Sequence, residues 1–203
     1  MNRKATGRMA NRDQRVKWLR EQNLFSNVFM SVALRDVPAC QHVLRTLLES
    51  PHLAVHAVRT RYRISNLLSK DSELDVLAED ADGQMYNIEI QRTATVDHAR
   101  RLRYYGAQID SGFLEKGARY QDLPNVYLVY ISETDLWKLG LTACPVCKSL
   151  LGRRKYEDGI QILYVNAGVD DGSEQARLMR FFQTADPEDQ SQGALSARVH
   201  FAS

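Results

Sequence analysis

The residues best suited to chemistry lie between Ser72 and Gln91. Asp75 sits in Leu74-Asp75-Val76-Leu77, and Glu89 and Gln91 sit in Ile88-Glu89-Ile90-Gln91. Between the two runs lies Asp80-Ala81-Asp82-Gly83-Gln84, a turn composition. The flanking segments Leu74–Glu79 and Tyr86–Gln91 therefore read as the strands of a hairpin. Alternate residues of a strand share a face. Glu89 and Gln91 then point one way, and Ile88 and Ile90 point the other. Leu74 and Val76 flank Asp75 and are expected to share the opposite layer. Two carboxylates at roughly 4 Å repel by a few kcal/mol at an effective dielectric of about 20. Such a pair calls for a cation or a shared proton. Oxygen ligands with room left for water suit Mg²⁺ or Mn²⁺, ions that polarise phosphodiesters. On spacing alone, the same acids read more simply as surface residues of a half-exposed hairpin.

Register separates the two readings. Directly opposed residues of an antiparallel pair share a face. Opposing Asp75 to Glu89 sets Glu79 against Met85 and leaves 81–83 as the loop. Opposing Asp75 to Gln91 also leaves an odd loop. A two-residue Asp82-Gly83 turn would set Asp75 against Ile90 and split the carboxylates onto opposite faces. A metal site predicts an odd loop, or a bulge that restores register.

Other elements must position this hairpin. Residues 10–24 read as a short helix around Val16, Leu19 and Leu24, and Asn27–Leu34 as another. Asp36 and Pro38 signal the start of a helix that carries Val43, Leu44, Leu47 and Leu48 and stops before Pro51. Val55–Ile64 alternates in part and reads as a strand with Arg59, Arg61 and Arg63 on one face. Thr95 is placed to cap a helix to about Lys116, with an apolar stripe of Leu102, Gly106, Ile109 and Phe113. Asn125–Ile131 and Ile160–Val165 read as buried strands, and Glu174–Thr184 as a helix. This order predicts an α/β fold with a central mixed β-sheet flanked by helices. It divides the chain into a basic segment 1–24, a core 25–184 and a polar tail 185–203 whose last ten residues look loosely attached.

Bulk properties add bounds. The 203 residues, 44% hydrophobic and 26% charged, suit one ordinary globular domain. The net charge of +2 is too small to imply nucleic-acid binding alone. Seven Lys/Arg against one acid in residues 1–20 make a basic arm, able to touch phosphates or simply solvated. No signal peptide or membrane-length apolar run is visible, so a cytoplasmic protein with no membrane partner is expected.

The stretch LDVLAEDADGQMYNIEIQ resembles the PD-(D/E)xK nuclease superfamily, and more closely its branch of transposase-related and recombination-promoting nucleases. The likeness continues through Arg101, Tyr104-Tyr105, Lys116-Gly117, Tyr120, Leu123-Pro124 and VYLVYIS, and more weakly to Tyr164-Val165-Asn166. It spans roughly residues 27–184. It implies a restriction-endonuclease-like core and a DNA endonuclease that hydrolyses phosphodiester bonds with Mg²⁺ or Mn²⁺, linked to recombination or transposition. It makes Asp75 and Glu89 metal ligands, with the backbone carbonyl of Ile90 as a third. Glu49 or Glu73 would supply a further acid. Gln91 stands where the superfamily pattern has Lys; it can orient water but brings no positive charge, which Arg101 would supply. Arg100, Arg101, Tyr105 and Gln108 on the long helix become candidate nucleic-acid contacts, and a homodimer is admissible. The competing reading is a catalytically silent nucleic-acid-binding or protein-interaction domain that keeps the fold.

The remaining motifs carry less. Cys144-Pro-Val-Cys147 is a single CxxC without the further ligands zinc needs. His42, His52, His56 and His98 show no partners in the sequence.

Overall fold

A computed structural model of the protein describes residues 23–65, 71–92 and 96–202. The helix expected over 10–24, nearly all of the basic segment and the Thr95 cap lie outside the described residues.

Two helices open the described chain, α1 (Asn27–Leu34) and α2 (Val37–Leu47). The Asp36 carboxylate accepts from the Ala39 N–H at 3.1 Å, and Pro38 sits in the first turn, where its missing N–H costs nothing. Strands β1 (Val55–Ile64), β2 (Ser72–Asp80) and β3 (Met85–Gln91) follow, then α3 (His98–Phe113). Strands β4 (Val126–Ser132), β5 (Ala143–Pro145), β6 (Ser149–Leu150), β7 (Arg154–Lys155) and β8 (Ile160–Asn166) come next. Helices α4 (Glu174–Thr184) and α5 (Ala194–Ala202) close it. The Ser173 hydroxyl caps α4 by accepting from the Ala176 N–H at 3.1 Å.

Six strands form one sheet in the order β1-β2-β3-β4-β8-β5. Pairing is parallel for β3-β4 and β4-β8 and antiparallel elsewhere. This is the expected α/β architecture with a mixed sheet and a restriction-endonuclease-like core. The central strand β4 is buried along almost its whole length, as a parallel strand covered on both faces must be. On one face α1, α2, α4 and α5 pack against Val76, Ile88, Ile90, Val129, Ile131 and Val165. On the other, α3 sets Leu102 and Ile109 against Leu74, Leu77, Leu128 and Tyr130. At Gly106 a Cβ would stand 3.4 Å from Leu128 Cδ1, within ordinary contact of the sheet.

Three expectations are corrected. The final stretch is not a loose end: α5 buries Leu195 and Val199 completely in the first core, with Ser196 buried beside them. Composition hid this because only a few apolar residues anchor the helix. Second, Leu74 and Val76 do not share a layer. Leu74 packs under α3, whereas Val76 faces the four-helix side. The alternation breaks at Asp75, opposite Arg61, whose φ is +53°. The flanking pairs Thr60–Val76 and Tyr62–Leu74 keep register across the break. Both strands thus change face together. The same break parts Arg59, which pairs with Leu77, from Arg63, which pairs with Glu73, so the three arginines do not share a face.

Among the described residues, no helix is long and apolar enough to cross a membrane.

Candidate active site

The β2–β3 turn sets the site's register. Asp80 N–H donates to the Gln84 carbonyl and Gly83 N–H to the Asp80 carbonyl, both at 3.1 Å. Gly83 has φ +76°, a conformation that favours a residue without Cβ. The Asp80 carboxylate accepts from the N–H groups of Asp82 and Gln84 at 2.9 Å and from the Tyr86 hydroxyl at 2.7 Å. The loop is odd, and the ladder runs from Glu79–Met85 to Val76–Ile88. One further step sets Asp75 opposite Glu89.

At that step side chains replace the backbone ladder. Asp75 N–H donates to Glu89 Oε1 at 3.2 Å. Ile90 N–H donates to Asp75 Oδ2 at 2.9 Å. Each carboxylate is therefore pinned by the other strand's backbone. Glu89 is only 1% exposed, whereas Asp75 is half-buried and marks the side from which solvent reaches the pair. These bonds leave Asp75 Oδ1 and Glu89 Oε2 outside them. Burial pushes the Asp75 carboxyl up, opposed chiefly by the Ile90 N–H. Glu89 is also pushed up, by burial first and then by the charge of Asp75. The Arg101 guanidinium works against both shifts, so it stands close to the pair. Tyr105, from the same helix, is raised to about 12 by burial and then by Glu89, so its hydroxyl stays protonated.

One residue escaped the sequence reading. Asn87 is fully buried and donates through Nδ2 to Glu89 Oε1 at 2.9 Å and to the Val76 carbonyl at 3.1 Å. Its Oδ1 is buried without a partner. The available signal was its spacing: Asn-x-Glu puts amide and carboxylate on one strand face.

The other candidates divide. Gln91 ends β3 opposite Ser132, on the face of Glu89 by alternation. Arg100 is exposed on the first turn of α3. Gln108 is buried. Glu73 is turned out by the strand break and pairs with Arg61 at 2.9 Å. Glu49 accepts from Gln175 Nε2 at 2.9 Å, on the four-helix side of the sheet and away from the pair. Among the described residues, no three His, Cys, Asp or Glu side chains gather as a metal cluster. That includes Cys144 and Cys147, one buried and one exposed, both free. Of the four histidines without evident partners in the sequence, His42 and His98 have them. His42 meets Gln192 Oε1 at 3.1 Å and His98 Nδ1 meets the Tyr164 hydroxyl at 3.0 Å.

A family model described as PD-(D/E)XK nuclease family transposase matches residues 41–195. The chain belongs to this family. No match is found among curated proteins. Nuclease activity related to transposition is the character of the PD-(D/E)XK transposase family, and the match takes in the whole hairpin, α3 and β4 through α4. The donor set can be tested against a divalent cation. Mg²⁺ is ordinarily held by one or two carboxylates, with waters and substrate phosphates completing its shell. Asp75 and Glu89 match that mode: two hard oxygen donors opposed on one face, each disfavoured as a bare anion by the other.

Proposed function

We propose that the protein is an endonuclease that hydrolyses phosphodiester bonds in DNA, dependent on Mg²⁺ or Mn²⁺. The observation that carries this reading is the opposed Asp75–Glu89 pair, each carboxylate hydrogen-bonded by the other strand's backbone. Asp75 and Glu89 would hold the cation, with the Ile90 carbonyl as a third donor. The ion supplies polarisation of the scissile phosphodiester and stabilisation of developing charge.

The chain's own groups do the rest. Gln91 can accept a hydrogen bond from the attacking water through its side-chain carbonyl and fix the line of attack. Being neutral, it leaves positive charge to Arg101, whose guanidinium is already felt by both carboxylates. The protonated Tyr105 hydroxyl is a donor on the same side. Arg100, exposed on the first turn, is suited to a phosphate contact that positions without reading sequence.

A second reading, a nucleic-acid-binding domain that keeps the fold without turnover, is favoured by one observation. No third acid joins the pair among the described residues. Plasmid cleavage in Mg²⁺ or Mn²⁺ separates the two. Asp75→Ala and Glu89→Ala should each lower cleavage by at least about 100-fold, in line with losses of key electrostatic groups elsewhere. Cleavage that survives both substitutions would sink the assignment. Absent cleavage with intact DNA binding would favour the silent domain.

A further inference from the structure

Register carries the site onward across the sheet. Glu89 faces Tyr130 on β4, and Tyr130 faces Tyr164 on β8. All three lie on the α3 side. The His98 ring, at the start of α3, packs on this row, with centroids 5.9 Å from Tyr130 and 5.3 Å from Tyr164. Trp137, from the loop after β4, stands edge-on to both His98 at 5.1 Å and Tyr164 at 5.3 Å. Tyr130 and Tyr164 are buried, but Trp137 is 46% exposed. A tryptophan is usually largely buried. This one is half open to solvent and yet clamped by two rings.

Its loop is held as well. The Asp135 carboxylate accepts from the Gly140 N–H at 2.8 Å, and backbone N–H groups of the loop lower its pKa. Its Oδ2 is thereby held by its own loop, while its Oδ1 is buried without a hydrogen-bond partner. Lys138, the next residue in the loop after Trp137, is exposed. Two strand spacings separate Tyr164 from Glu89, about 10 Å. That is roughly three base steps of a stacked strand.

We infer that Trp137, backed by His98 and Tyr164, is a stacking platform for an unpaired nucleobase beside the Asp75–Glu89 pair. A half-exposed indole held by two rings, on the row that leads from Glu89 and followed by the exposed Lys138, fits the face of a base and its phosphate. Every base has a π face, so the platform favours single-stranded or locally opened DNA without choosing a sequence. The inference deepens the nuclease reading and rests on it for the identity of the substrate.

Binding tests it without cleavage. Fluorescence anisotropy with a labelled oligothymidylate and with a duplex, in EDTA, compares the full-length protein with Trp137→Ala and Trp137→Phe. Loss of one base–aromatic stack corresponds to a 5- to 150-fold weakening, on the order of 1–3 kcal/mol. The alanine variant should lose this on the single strand and far less on the duplex, and phenylalanine should restore most of it. Equal single-strand affinity for wild type and Trp137→Ala would overturn the proposal. So would absent single-strand binding by wild type, or a Trp137→Ala effect confined to self-association in sedimentation. The nuclease reading fails differently, through cleavage that ignores Asp75 and Glu89. Trp137-dependent binding would then survive.

Discussion

The backbone N–H of Asp75 donates to the carboxylate of Glu89, across a strand pair whose regular ladder has just ended. The Asp75 carboxylate returns the arrangement by accepting from Ile90, the neighbour of Glu89. The two acids are thus fixed by backbone groups rather than by each other's side chains. They are held close despite their mutual repulsion, and the repulsion is available to favour a cation.

The pH dependence of stability follows from the raised Glu89. A buried carboxyl with an elevated folded pKa binds its proton more tightly when folded. Its contribution to metal-free stability is complete below the ordinary glutamate value of 4.5 and is lost as pH rises through the elevated folded value. The Tm of the metal-free protein should therefore fall over that range, and Glu89→Gln should flatten the fall. Added Mg²⁺ should raise Tm more at the alkaline end, because the ion needs the ionised pair. Scanning calorimetry across pH, with and without Mg²⁺, measures all three. A Glu89→Gln profile that matches wild type would refute the assignment of the slope to Glu89.

Asn87 is expected to tune Glu89 as well as to support it. Its amide stabilises the ionised form of Glu89 and satisfies the Val76 carbonyl. Asn87→Ala leaves a buried carbonyl unpaired, a loss of about 1–3 kcal/mol. It also removes a group that lowers the Glu89 pKa, so the rising limb of the pH–rate profile should move to higher pH. A lower Tm with an unmoved profile would reduce Asn87 to a packing residue.

Gly106 makes a prediction of the opposite sign. The contact a Cβ would make with Leu128 Cδ1, at 3.4 Å, is ordinary van der Waals contact. Within a helix, Gly→Ala gains about 0.8–1 kcal/mol of propensity. Gly106→Ala should therefore leave Tm equal or higher, whereas Gly106→Leu should overpack the second core and cost about 1–3 kcal/mol. Chemical denaturation of the two variants checks the pair. Destabilisation by alanine as large as that by leucine would show α3 seated more tightly than the spacing indicates.

Much of this was legible in the sequence because it rests on local signals. Asp36 with Pro38 marked the start of α2, the apolar run of β4 marked a strand covered on both faces, and Ile88 with Ile90 gave the inward side of β3. The odd loop followed from requiring Asp75 and Glu89 to share a face. What was not legible depends on contacts distant in the chain. The His98–Trp137–Tyr164 cluster joins three segments, and α5 is seated by two apolar residues in a polar stretch. The change of face at Asp75 was hidden because strict alternation was assumed through β2, opposite which Arg61 of β1 adopts a left-handed backbone.

That backbone at Arg61 yields the last prediction. With φ at +53° opposite Asp75, Arg61 occupies a conformation that costs an L residue about 1–2 kcal/mol. The break turns Leu74 beneath α3 and turns Glu73 out to solvent. If the site depends on the backbone conformation and not on the guanidinium, Arg61→Gly should fold with near wild-type Tm, its relief of strain offsetting the exposed Arg61–Glu73 pair, worth 0–1 kcal/mol. Arg61→Val should lose more, because a β-branched side chain resists positive φ. It should also lower Mg²⁺ affinity by disturbing the Asp75 backbone, whose N–H donates to Glu89 Oε1. Calorimetric Mg²⁺ titration of both variants gives the answer. Equal losses in glycine and valine would assign the effect to the lost charge instead of the strand break.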